Sequence, residues 1–166
     1  MDEECVDLML AQGTWWVPTL ALVPLARERR AQDRAWDAAQ LGDEDRKDEA
    51  VYQRQLAQRP LWQDAVRRGV RVAFGTDQSH RLLTGENLVE LAYMVDCLAM
   101  SPMQAIVAAT STAAQCLERP DLGALAPGKV ADIVMVDGDP LDDIRVLSDP
   151  KRIQLVMKAG VIHRNG

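Results

Sequence analysis

The sequence predicts an α/β protein: alternating strands and helices, then a small separate sheet. Three observations carry that prediction. Two bulky apolar runs, Trp15–Leu22 and Val70–Phe74, lack polar alternation, as do strands of a parallel sheet covered on both faces. Helical periodicity fills the stretches around them and is strongest from Met103 to Leu117. From Leu122 onward the pattern changes to short strand-like runs separated by turn residues.

Taken in order, Asp2 is a helix N-cap followed by Glu3 and Glu4 in the first turn, with Cys5, Leu8 and Met9 as an apolar stripe and Gly13 as the stop. The chain thus opens inside an element, and no basic segment followed by an apolar core resembles a signal peptide. The run Trp15-Trp16-Val17-Pro18-Thr19-Leu20-Ala21-Leu22 reads as a buried strand, with Pro18 marking its end. From Pro24 to Arg59 the composition is helical and densely charged with mixed signs, as on a solvated face, with a break at Leu41-Gly42-Asp43. Pro60 is expected to open a further short helix burying Leu61, Trp62, Ala65 and Val66 and closed by Gly69.

Val70-Arg71-Val72-Ala73-Phe74 is the second strand and runs into Gly75-Thr76-Asp77. Leu88, Leu91, Ala92, Val95 and Leu98 trace one face of the next helix. Ser101-Pro102 then caps and opens a helix with the stripe Met103, Ile106, Val107, Thr110, Ala113, Ala114 and Leu117. Cys5, Cys97 and Cys116 fall on or beside these stripes and read as buried, inert thiols. In the tail, Ala131–Val136 is a strand ending in the turn Asp137-Gly138-Asp139-Pro140. Ile153–Lys158 and Val161–Arg164 flank Ala159-Gly160 as a hairpin.

Composition narrows the function. The 166 residues are 48% hydrophobic and carry a net charge of -6, which argues against a nucleic-acid partner. No apolar run reaches the ~18–20 residues that cross a bilayer, so no membrane partner is expected. The three cysteines form no CxxC, and the two histidines, His80 and His163, are too few for a metal site on their own. Lys129 reads as satisfying backbone carbonyls at a turn, and His163 as structural or exposed.

The sharpest chemical feature is Gly75-Thr76-Asp77, an acid at the end of a buried strand, where α/β barrels place catalytic groups. In order behind it come His80, Ala108-Ala109-Thr110-Ser111-Thr112-Ala113-Ala114, Leu122-Gly123-Ala124-Leu125-Ala126-Pro127-Gly128-Lys129-Val130-Ala131-Asp132-Ile133-Val134 and Asp137-Gly138-Asp139-Pro140-Leu141. This ordered set resembles the C-terminal portion of the metal-dependent amidohydrolase superfamily, in its imidazolonepropionase- and prolidase-like branch.

The resemblance implies a (β/α)8 TIM barrel with a small β-sandwich. Val17-Pro18-Thr19-Leu20 would be strand seven and Val72–Asp77 strand eight. Residues 1–120 would then form the C-terminal part of the barrel and 121–166 strands of the sandwich. It further implies hydrolysis of carbon–nitrogen bonds (amide, cyclic amide or dipeptide-like) by a metal-activated water. Asp77 is the implied metal ligand and acid/base, and His80 and Thr19 are the implied substrate contacts. The cofactor would be one or two divalent ions, with zinc expected. The partner would be a small-molecule substrate, in a cytoplasmic and homo-oligomeric complete enzyme.

The family's His-x-His, its carboxylated lysine or glutamate and its two further histidines have no counterpart here and would lie upstream of Met1. A catalytic metal needs three or four protein ligands and this chain offers one, so the chain alone is expected to be inactive. The competing expectation is a non-catalytic remnant acting as a binding or assembly module.

Overall fold

A computed structural model describes residues 1–33, 42–77, 82 and 85–166. Helix α1 (Glu3–Gln12) starts and stops where the sequence predicts: the Asp2 carboxylate accepts the Cys5 amide at 2.9 Å, and Gly13 closes the helix at φ 62°. Its buried stripe is different. Val6 is fully buried with Met9 and Leu10 beside it, whereas Cys5 and Leu8 are exposed. The spacing i, i+3, i+4 fits either stripe, and packing against Ala65 and Val70 selects the one on Val6. Cys5 is therefore an exposed thiol, contrary to expectation, while Cys97 is buried and Cys116 half-buried.

Strands β1 (Trp15–Trp16) and β2 (Arg71–Val72) pair in parallel, Trp15 opposite Arg71 and Trp16 opposite Val72. The first apolar run is thus only partly strand. Proline at position 18 cannot donate to a ladder, and by Leu22 the chain has entered α2 (Leu22–Asp33). Trp16 meets Trp62 at a ring separation of 6.0 Å, and the Arg71 guanidinium lies 4.3 Å from the Trp15 ring centroid.

Helix α3 (Asp43–Arg67) begins at the predicted break, where the Gly42 amide donates to the Asp45 carboxylate at 3.2 Å. The expected separate helix at Pro60 does not form; α3 runs through the proline. An interior proline forfeits one helical hydrogen bond. Here the helix continues to bury Trp62 and Ala65, the face the sequence assigned.

Helix α4 (Val89–Leu98) buries Leu91, Ala92, Met94, Cys97 and Leu98 at the centre of the main core. Helix α5 (Pro102–Val107) opens with a reciprocal cap, Ser101 Oγ accepting the Gln104 amide at 3.2 Å and Gln104 Oε1 accepting the Ser101 amide at 2.7 Å. A π-helical turn (Ala108–Thr112) follows, then α6 (Ala113–Cys116). The predicted stripe is rotated: Ala105, Ala108 and Ala114 are buried, while Met103 and Val107 are exposed and Leu117 is 68% exposed. The small residues let the helix approach β2 closely enough for the Phe74 amide to donate to the Ala108 carbonyl at 3.1 Å. A large side chain there would hold the two apart, and π-turns characteristically free a carbonyl in this way.

The tail folds as an antiparallel sheet in the order β3 (Ile133–Val136), β4 (Ile153–Lys158), β5 (Val161–Asn165). Ala159 and Gly160, at φ 49° and 79°, form the predicted hairpin turn, with positive φ at both central residues as a type I′ turn requires. Ile144 in the intervening 3₁₀ turn (Ile144–Ser148) is buried in the main core and ties the tail to α4, beside an Arg145–Asp96 ion pair of 2.6 Å. Lys129 donates to the Pro120 carbonyl, and His163 is exposed on β5, as expected of both.

Candidate active site

Parallel strands end on the same side of their sheet, so the segments leaving β1 and β2 share one end of the molecule. The pairing continues past the formal strands, the Ala73 amide donating to the Trp16 carbonyl at 3.0 Å. Just beyond, Val17 crosses so near Gly75 that a Cβ there would sit 2.5 Å from Val17 Cγ1. Glycine is the residue that allows this crossing.

Two side-chain-bearing residues at this end occupy the left-handed backbone region: Thr19 at φ 48° and Asp77 at φ 46°. Aspartate tolerates that conformation, whereas a β-branched threonine in it is strained by about 1–3 kcal/mol. Such strain persists only where surrounding structure over-determines it. Asp77 is exposed and Thr19 half-buried. Leu82 is fully buried, and His80 lies outside the described residues.

The two residues after Thr19 are bonded by a residue that the sequence reading did not single out. Glu90, in the first turn of α4, is 0% exposed, and its carboxylate spans two consecutive amides, Oε1 accepting from Leu20 and Oε2 from Ala21, each at 2.7 Å. Those amides sit immediately before α2, at the positive end of its dipole. Burial nevertheless dominates and pushes the Glu90 carboxyl up to about 7, against the opposing pull of the two amides. Helical periodicity does not flag it: position 90 lies opposite the predicted stripe of Leu88, Leu91, Ala92, Val95 and Leu98, on the face with Met94 and Cys97.

Among the described residues leaving β1 and β2, the accessible carboxylate is Asp77, five residues past β2. Among the described residues no three His, Cys, Asp or Glu side chains come together, and both Glu90 oxygens are engaged by backbone. These residues do not make up a divalent-metal ligand set; Asp77 brings one carboxylate. Of the predicted site residues, the fold brings Thr19 and Asp77 to one end.

Comparison with known proteins agrees in kind. Residues 3–162 match the model of the Amidohydrolase family. Ochratoxinase of Aspergillus niger is 30% identical over 169 residues, covering 98% of this chain and 32% of that protein. Imidazolonepropionase of Pyrobaculum arsenaticum is 36% identical over 100 residues, covering 58% of this chain and 25% of that protein. A crystal structure of a Xaa-Pro dipeptidase with methionine bound in its active site superposes with a TM-score of 0.78 at 33% identity, covering 99% of this chain and 38% of that one. The chain therefore spans about a third of the length of the relatives that it matches end to end. Its mixed α/β fold matches theirs, and the chain belongs to the amidohydrolase family.

Proposed function

We propose that these residues supply the C-terminal third of an amidohydrolase that hydrolyses a carbon–nitrogen bond in a small molecule, an amide, cyclic amide or dipeptide-like substrate. In this reading β1 and β2 are barrel strands seven and eight, residues 1–120 belong to the barrel and 121–166 to the β-sandwich. The observation that carries it is Asp77, an exposed carboxylate at the end of a parallel strand.

Asp77 has the role of proton carrier. As the oxygen of a water bonds to the substrate carbonyl carbon, a carboxylate oxygen takes one of its protons. The carbon–nitrogen bond then breaks, the nitrogen leaves with the proton that Asp77 returns, and the products are an acid and an amine. Thr19 and His80 are the proposed substrate contacts. Members of this family are generally metal-dependent. A divalent ion, for which zinc is our choice, would be held by Asp77 together with ligands from outside these residues, and would supply activation of the attacking water. We place the enzyme in the cytoplasm, where free thiols such as those of Cys5, Cys97 and Cys116 persist, and as a homo-oligomer.

The test is turnover of a panel of Xaa-Pro dipeptides and N-acyl amino acids by the complete enzyme and its Asp77→Asn variant. We expect kcat to fall by about 10²–10⁴ with KM changed little. A variant that turns over at the parent rate would remove Asp77 from the chemistry.

A further inference from the structure

We propose that Glu90 is a positioning residue for the site: its carboxylate grips two successive amides of the turn after β1 and thereby fixes Thr19 beside the strand end that bears Asp77. This rests on the reading of that end as the reacting site.

The geometry is specific. One carboxylate satisfies the Leu20 and Ala21 amides at 2.7 Å each, and all three residues are essentially buried, at 0%, 2% and 1% exposure. Successive amides presented to one anion are the backbone arrangement that binds anions elsewhere in proteins, here occupied from within by a neighbouring helix. The contact joins residues some 70 positions apart in sequence, |i−j| being 70 and 69. It therefore fixes α4 relative to the segment leaving β1. A core position on α4 would be filled more cheaply by an apolar side chain, because a buried carboxylate carries a large desolvation penalty. Its pKa near 7 reflects that penalty.

The grip also accounts for Thr19. A threonine at φ 48° relaxes unless its neighbours hold it, and the two residues that follow are held through their amides. The strain is thus maintained from α4, in the place where orientation of a substrate-contacting hydroxyl matters.

The test uses the complete enzyme and its Glu90→Gln variant, which keeps size and shape but offers one acceptor oxygen in place of two. Hydrogen exchange read by mass spectrometry is compared for peptides spanning 19–23 and 91–98. We expect exchange of the 19–23 amides to quicken about 10- to 100-fold while 91–98 changes little. Unchanged protection at 19–23, or equal acceleration of both peptides, would overturn the proposal, the latter by making Glu90 a general stability residue. The parent enzyme provides a reading independent of any variant: Leu20 and Ala21 must be as protected as the α4 interior, and exchange at the rate of an open loop would contradict the grip.

Steady-state kinetics supply the functional arm. Glu90→Gln and Thr19→Ala should each raise KM on the dipeptide panel, and the double variant should be no worse than the poorer single one. Additive losses would break the link from Glu90 to Thr19. Failure of the Asp77 assignment shows instead as undiminished kcat in Asp77→Asn, and leaves the exchange result standing.

Discussion

The parallel pair and the C-terminal sheet are both built from short apolar strands, yet they are stabilised in opposite ways. β1 and β2 have two residues each, and their surroundings hold them: Val72, Leu91, Met94, Leu98 and Trp62 form a continuous core, with Trp16 packed against it. The sheet β3–β5 has a full antiparallel ladder, but Val134, Met135, Val161 and Ile162 on it are all about half exposed or more, from 51% to 60%. One region is held by burial, the other mainly by backbone pairing, with Ile144 and Leu147 packed on the main core and Ile153 buried on β4. The difference teaches where precision is concentrated. Two side-chain-bearing residues in the left-handed region and the buried Glu90 carboxyl lie around the strand ends bearing Thr19 and Asp77.

Substitutions can break or sharpen this contrast, and all are to be read on the complete enzyme. The largest stability effect is expected from Leu91→Ala, which opens a cavity in the main core and should cost about 2–5 kcal/mol in urea unfolding. A loss below about 1 kcal/mol would mean that the core around α4 is not close-packed.

Next is pH. Burial raises Glu90 from an ordinary carboxylate value of 4.5 to about 7. The unfolded chain therefore loses this proton first, and the folded state holds more protons between those two values. This group's contribution is fully present below about pH 4.5 and declines as pH rises to about 7, by up to about 3 kcal/mol. Unfolding of the parent and Glu90→Gln at pH 5 and pH 8 should show the parent losing more stability over that interval. Equal losses would mean that Glu90 titrates normally.

Gly75→Ala should cost about 1–3 kcal/mol, because the new methyl meets Val17 Cγ1 at 2.5 Å. A neutral result would place Val17 elsewhere. The smallest effect is expected in the tail, where Ile162→Ala removes a side chain already 51% exposed and should change stability by under about 0.5 kcal/mol. A loss near that of Leu91→Ala would show the sheet face to be covered, and the contrast between the regions would disappear.

The sequence was most readable where a signal is local. Asp2, Gly13, Ser101-Pro102 and Ala159-Gly160 all do what their chemistry dictates, because caps and tight turns are decided within a few residues. It was less readable where a distant surface chooses. Which stripe of α1 or α5 is buried depends on Ala65, Val70 and the approach to β2, and whether α3 stops at Pro60 depends on what its last turns cover. The site divides in the same way. Asp77 stands out because it follows a strand and a glycine. Glu90 does not, because an acid in the first turn of a helix is ordinarily solvated, and its partners lie some 70 residues earlier.

The central claim is that chemistry resides at the end of the parallel pair and not on the tail sheet. Asp77→Asn and Asp137→Asn test it side by side, since both remove one exposed carboxylate charge, one after β2 and one in the turn after β3. With kcat measured on the same dipeptide panel, the first should lose about 10²–10⁴ and the second less than about twofold. Comparable losses in both variants, or a loss confined to Asp137→Asn, would contradict it.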